Sequence, residues 1–323
     1  MNKNRMIVGC VLITMVLFVF ASAGCVNTSD NKKTEKGGKW SAYMFEETVT
    51  PKTGTSGKIK TFKYEEKYIN DNKITQLDVL GTYLGKVTDA IYTNRTEIDS
   101  GSYQVNYSLV STNVECYKVK HDITVKRDDT NSGYANESSV TVWIPTSGFN
   151  TSATYFWIYP KAEYSDEKGN SGSWSYYLTS EMQNEMNNPP AGKTIYYMPV
   201  VTGSDYIDDA CSLVLWGMYG WAWYWFHAYA DGTSEIKEGT VVHHYGTVSY
   251  SHIVKKVTKT VGGYTFTAWD VSFKWASGNS DSAEYKVVFS EKLAIPFYLK
   301  VGASSGQQEN NYYEYELKDL TLG

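Results

Sequence analysis

From Lys58 onward the chain alternates apolar and polar residues in long stretches separated by turn residues. Lys58 to Ile69 reads KIKTFKYEEKYI and ends in Asn70-Asp71-Asn72, and a second stretch begins near Ile74. A period of two sends successive side chains to opposite faces, so each stretch rests one face on a core and wets the other. Tyr83 to Ile98, Gly101 to Ser111, Glu115 to Lys126, Ser138 to Ile144, Thr154 to Tyr164 and Ser173 to Thr179 follow the same pattern. The run Asn187-Asn188-Pro189-Pro190-Ala191-Gly192 then breaks it.

Alternation returns near Gly239. Val241 to Thr260 has the length of two strands or one strongly bent strand, and Gly262-Gly263 predicts a hairpin turn into Tyr264 to Trp275. Gly278-Asn279-Ser280-Asp281 turns the chain into Ala283 to Ser290, and Ile295 to Val301 and Tyr312 to Leu320 complete it. With 28 Tyr and only 7 Pro, the composition suits antiparallel ladders with one wet face.

The two β-rich parts share a pattern. Glu115 to Lys126 and Gly263 to Lys274 both start x-Tyr, alternate, and end Asp-apolar-polar-apolar-Lys. Each leads through a turn and a strand to a Pro-containing aromatic strand, then to a Tyr-rich one (Trp174 to Tyr177; Tyr312 to Tyr315). A tandem duplication and the ordinary likeness of alternating strands both account for this.

Between them the sequence predicts one helix. Ser204 can cap it, Asp205, Asp208 and Asp209 place negative charge in its first turn, and Asp231-Gly232 ends it. Ala210 to Ala230 holds no charged residue apart from His227 if protonated, and its aromatic residues face every direction. A helix apolar on all sides must be covered on all sides. It fills the concave side of a sheet, meets a ligand or a membrane interface, or spans a membrane; Gly217, Gly220 and the many aromatics are unlike an ordinary span. Trp216, Tyr219, Trp223 and Phe226 are its candidate ligand-lining residues.

The amino-terminal segment gives an address. Lys3 and Arg5 precede the apolar run Met6 to Phe20, about fifteen residues and too short for an ordinary span. Ala21-Ser22-Ala23-Gly24-Cys25 follows, placing small residues before a cysteine that can be lipidated and become the new first residue. Ser22 stands where such sites usually carry Leu, and Ala21-Ser22-Ala23 also suits cleavage to a secreted form. Val26 to Lys39 is a polar tether with a reach of about 20 Å. The expected segments are therefore 1–24 leader, 25–39 lipidated Cys25 and tether, 40–192 first β-rich part, 193–238 connector and helix, and 239–323 second β-rich part. Localisation follows as the extracytoplasmic face of the membrane, with secretion as the alternative.

Loss of the leader removes Lys3 and Arg5 and no acid, taking the net charge from -5 to -7, which argues against a nucleic-acid partner. Beyond Cys10 and Cys25 only Cys116 and Cys211 remain, either bonded to each other or as two buried thiols. His243 and His244 are adjacent in a predicted strand and point apart, and no spacing of His121, His227 or His252 builds a metal site, so no metal or cofactor is expected. Asp205, Asp208 and Asp209 lack a calcium-loop spacing, and adjacent acids at Glu46-Glu47 and Glu65-Glu66 diverge on a strand. No nucleophile or phosphate-loop motif appears, so a catalytic role is not expected. Sequons begin at Asn27, Asn94, Asn106, Asn136 and Asn150; used by a glycosylating host, they would require solvent access.

The order of leader, cysteine, polar tether, strands, aromatic helix and more strands resembles uncharacterised archaeal surface lipoproteins. The tail Ser290-Glu291-Lys292-Leu293-Ala294-Ile295-Pro296-Phe297-Tyr298, followed by Tyr313-Glu314-Tyr315-Glu316-Leu317, resembles the closing strands of LolA/LolB-type half-barrels. That resemblance implies two curved antiparallel half-barrel-like sheets around one helix, with a concave apolar surface for an acyl chain. It implies no catalytic residues. The expected function is a membrane-anchored, non-catalytic binding protein for a hydrophobic or amphipathic ligand such as a lipid. The alternative is a structural or adhesive envelope protein whose aromatic side chains contact cell-coat glycans.

Overall fold

The structure, a computed structural model, describes residues 45–70, 72–130, 135–146, 159–203, 209–212, 214–215, 238–245, 248–277, 281–290, 292–305 and 308–323. It is mainly β, as the alternation predicts. A first meander contains β1 (Ile59–Asn70), β2 (Lys73–Asp99), β3 (Val105–Asp128), β4 (Glu137–Pro145), β5 (Lys161–Asp166) and β6 (Ser171–Ser175). Helix α1 (Ser180–Asn187) and strand β7 (Lys193–Gly203) follow, then the single turn α2 (Asp209–Ser212). A second meander holds β8 (Gly239–Tyr245), β9 (Val248–Val261), β10 (Tyr264–Ser277), β11 (Asp281–Ser290), β12 (Leu293–Ser305) and β13 (Gln308–Leu322).

The two meanders are one sheet of 13 strands, because β1 pairs with both β2 and β13. The pairings between the described strands are antiparallel, as short turns require. The predicted turns close as expected: Asn70 pairs with Lys73, Val261 with Tyr264, and Gly262 and Gly263 take φ of 55° and 80°. Two consecutive positive φ values are what a two-residue turn with strand-matching twist demands.

Strand β1 shows how register is fixed. Phe62, Tyr64 and Glu66 are buried on one face; on the other, Lys63 and Lys126 both reach Asp78 (2.8 and 3.4 Å), and Lys67 pairs with Glu65 (2.8 Å). A slip of one residue would bury these charges, so the apolar core and the wet ion pairs select the same register. The main core joins Val119, Val142 and Ala162 of the first meander with Val271, Val287 and Leu299 of the second. Tyr64 crosses between them and donates its hydroxyl hydrogen to the Pro296 carbonyl.

Three points differ from the sequence reading. Strands β2 and β3 run unbroken through places read as breaks: Gly81 receives the Phe62 ring, and a register shift between Tyr83 and Gly85 absorbs one residue. Residues 180–187 form a helix, capped by the Thr179 hydroxyl at 3.2 Å from the Met182 N–H. Residues 193–203, assigned to a connector, are strand β7. Of the two readings of Cys116 and Cys211, the structure shows the second: they form no disulfide, and both are buried thiols in different apolar clusters.

Of the long predicted helix, α2 and residues 214–215 are described, and Ala210, Cys211, Val214 and Leu215 pack into the main core. Trp216, Tyr219, Trp223 and Phe226 lie outside the described residues, as do Cys25, Asn27, Asn150 and His227. Among the described residues no helix is long and apolar enough to cross a membrane.

Candidate binding face

Strand β2 has 27 residues and changes neighbours along its length. Its first part pairs with β1 and its last part, Thr93 to Asp99, with β7. Strand β7 in turn pairs with β6, β6 with β5, β5 with β4 and β4 with β3, which closes a six-strand circuit back to β2. Lys161 of β5 reaches Asp89 of β2 at 3.0 Å, joining strands three pairings apart. Ser175 grips the Tyr92 backbone twice, accepting its N–H at 2.7 Å and donating to its carbonyl at 2.8 Å.

On the triplet β7–β2–β3 the register separates charge from uncharged surface. One face carries Lys193, Glu97, Asp99 and Arg95, and this is the face that helix α1 covers. Arg95 holds Glu185 of α1 at 2.7 Å and Glu97 at 2.9 Å, and Lys193 holds Glu97 at 2.9 Å and Asp99 at 3.4 Å. Tyr197 donates its hydroxyl hydrogen to Glu185 as well. The Lys193 ammonium and the Arg95 guanidinium hold the Glu97 carboxyl below its usual range. Beneath this network Ile195, Tyr197, Met182, Tyr176 and Leu178 form a small apolar cluster.

The opposite face has no charged residue. Its rows are Thr194–Ile98–Val105, Tyr196–Thr96–Tyr107 and Met198–Asn94–Leu109, followed by the pair Tyr92–Ser111. Tyr107 is 76 % exposed and Leu109 59 %, and Tyr92, Tyr196, Met198 and Val105 are exposed too. The tyrosines of β3 and β7 stand two strands apart, about 9–10 Å. The hairpin tip is fixed by Asp99, whose carboxyl accepts the N–H groups of Ser102 and Gly101 and is thereby lowered to about 2. It presents Tyr103, 80 % exposed, at φ 55°.

An ordinary sheet turns its charges to water and its apolar residues inward. This triplet does the reverse, because α1 supplies both an apolar cover and a partner carboxylate on the charged side. Tyr rings interleaved with Asn, Thr and Ser can stack on an apolar ring face and hydrogen-bond its substituents. The sequence reading passed over Tyr92, Tyr107 and Tyr196. The alternation Val105-x-Tyr107-x-Leu109 contained them, but it reads as a core-facing edge until α1 is placed.

The other sites considered do not assemble. Among the described residues no group of three His, Cys, Asp or Glu side chains is placed to hold a metal. His121 is fully buried in β3, and burial lowers it to about 3, so it is neutral. Backbone register sets His243 opposite Tyr250 and His252 opposite Val241, so neither His243 nor His244 stands directly across from His252. Glu65 and Glu66 diverge: Glu65 joins Lys67 on the wet face, while Glu66 is 3 % exposed between Leu77 and Tyr315. Both Glu66 oxygens lack a hydrogen-bond partner among the described residues, and burial raises the carboxyl to about 8. The space beside it is too small to admit a water. Of the sequons described, Asn94 is half-buried on the uncharged face, Asn106 is exposed on the opposite face of β3, and Asn136 is exposed ahead of β4. Comparison with family models, curated proteins and solved structures returns no match.

Proposed function

We propose that this chain is a non-catalytic envelope protein, held at the extracytoplasmic membrane face through Cys25, which binds neutral carbohydrate of the cell coat through the β7–β2–β3 face. The observation that supports this is the charge-free exposed face carrying Tyr92, Tyr107 and Tyr196 beside Asn94, Thr96 and Ser111. A glycan offers apolar ring faces and many hydroxyls, and the face offers rings and short polar side chains in alternation. Acidic glycans and nucleic acid find no cation there.

The test is sedimentation of the chain with neutral envelope polysaccharide and, separately, with lipid vesicles. Tyr107→Ala combined with Tyr196→Ala is expected to weaken polysaccharide binding more than tenfold, leaving the fold intact because both side chains are exposed. Unchanged binding in that double variant overturns the reading. The hydrophobic-ligand reading is supported by the aromatic run Trp216 to Tyr229 in the sequence. Native mass spectrometry before and after denaturation tests it: a lipid mass released on denaturation supports a carrier.

A further inference from the structure

A backbone that turns into the left-handed region brings Cβ against the following carbonyl oxygen. Glycine has no Cβ, and Asn offsets the crowding with a local hydrogen bond, so these two residues fill such positions. Among the described residues this chain obeys that rule at every positive φ but one. Asn72 takes 65° in the β1–β2 turn, and Gly262 and Gly263 form the β9–β10 turn. The exception is Tyr103, at φ 55° in the β2–β3 tip. A bulky residue there is a genuine outlier.

The backbone around Tyr103 holds it in place. Its N–H donates to the Asp99 carbonyl at 2.8 Å, and the Asp99 N–H donates to the Gln104 carbonyl at 3.0 Å. The Asp99 carboxyl accepts the N–H groups of Gly101 and Ser102 at 2.9 and 3.0 Å. The Ser100 N–H donates to the Gly192 carbonyl at 2.8 Å, bracing the tip against the turn ahead of β7. Strain persists only where surrounding structure over-determines it, and this frame does so. The Tyr103 side chain takes no part in it. It is 80 % exposed, with no hydrogen bond or ring contact among the described residues, so no contact within the fold offsets the strain. The ring stands just beyond the row Thr194–Ile98–Val105, at the end of the uncharged face. It lies within about 13 Å of Tyr107, four residues on.

We infer that Tyr103 is a ligand-contact residue, held in a strained conformation so that its ring extends the uncharged face to the hairpin tip, and that its ligand is a neutral, polyhydroxylated chain. This rests on the glycan reading of that face. The chemistry of the tip selects the ligand class. Its other residues are Ser100, Gly101, Ser102 and Gln104, and the Asp99 carboxyl is occupied by two N–H groups and by Lys193 at 3.4 Å. A tip that entered lipid would bury those polar side chains without partners. An acidic ligand would find no cation among the residues of the tip. A sugar ring stacks on the Tyr ring while its hydroxyls meet Ser and Gln side chains.

Strain and contact are removed by different substitutions, so the full chain in detergent can test them separately. Tyr103→Asn puts a residue suited to the left-handed region in place and removes the ring. It is expected to raise Tm by about 1–2 °C. It is also expected to weaken sedimentation with neutral polysaccharide about three- to tenfold. Tyr103→Phe keeps both the ring and the strain, and is expected to keep the parent Tm and most of the binding. A ring that served the fold would give the opposite sign, with Tyr103→Asn lowering Tm. A lowered or unchanged Tm in Tyr103→Asn overturns the inference, and so does binding equal to that of the parent. If Tyr107→Ala with Tyr196→Ala loses binding while Tyr103→Asn keeps it, this inference fails and the glycan reading stands. If the parent chain itself does not sediment with the polysaccharide, both fail together.

Discussion

Glu66 gives the fold a pH dependence of its own. Its carboxyl is buried without a hydrogen-bond partner among the described residues, and burial raises it to about 8. The unfolded chain ionises this group near pH 4.5 while the folded chain keeps its proton, so the unfolded state binds fewer protons over that interval. Stability from this group is therefore complete below about pH 4.5 and falls until about pH 8, where the folded form ionises too. At pH 7 the loss is about 3 kcal/mol. Glu66→Gln is expected to flatten that slope, read as the difference in Tm between variant and parent across pH 4.5 to 8; parallel curves would refute the assignment. Cys116 behaves differently, because burial raises its thiol to about 12 and keeps it protonated. Cys116 and Cys211 are both expected to resist thiol reagents in the native chain and to react on denaturation, as mass labelling would show.

The β2–β3 hairpin depends on two glycines for different reasons. A Cβ at Gly81 would sit 2.3 Å from the tip of the Phe62 ring, so Gly81→Ala overpacks the core and is expected to cost about 1–3 kcal/mol. Gly85 has open space around it but a φ of 114°, so Gly85→Ala costs a similar amount, about 1–3 kcal/mol, through the backbone alone. Phe62→Leu separates the two: it is expected to relieve Gly81→Ala and to leave Gly85→Ala unrelieved, by denaturant titration of the double variants. The strands themselves were legible from their period of two. What the period could not tell was which face α1 would cover. In Tyr92 to Asp99 alternation puts Arg95, Glu97 and Asp99 on one face without saying what lies over it, and helix α1, far along the chain, covers that face and pairs Glu185 with Arg95. Local pattern holds no information about a helix that arrives ninety residues later. The break read ahead of Tyr83, where Gly81 lies, has a related cause. A glycine inside a strand reads as a stop until the ring that lies over it is known.

The whole sheet turns on the seam between β1 and β13. Two meanders could have formed two sheets, as the sequence pattern allowed, because alternation says nothing about which strands from distant parts of a chain will meet. Here the register from Ile59–Leu322 to Asn70–Asn311 joins them, and side chains of both meanders share the main core. The correspondence of β3–β6 with β10–β13 is also no more than two meanders produce when each strand pairs with the next, so the pairing order alone leaves a duplication open. The shared core carries a sharper consequence. If the meanders fold as one unit, a lesion at their junction must lower the protection of both equally; if they fold separately, only the damaged side loses protection. Tyr64→Phe is such a lesion, since it removes the bond from β1 to the Pro296 carbonyl in β12 and leaves that carbonyl short of a donor in a buried site. The expected cost is about 1–3 kcal/mol. Native-state hydrogen exchange should show it at full size in both β4 and β11, strands that belong to different meanders and do not touch the substituted ring's own ladder. An effect confined to β11 would mean that the seam joins two independently folding halves, and the uncharged face of β7–β2–β3 would then owe its stability to the first meander alone.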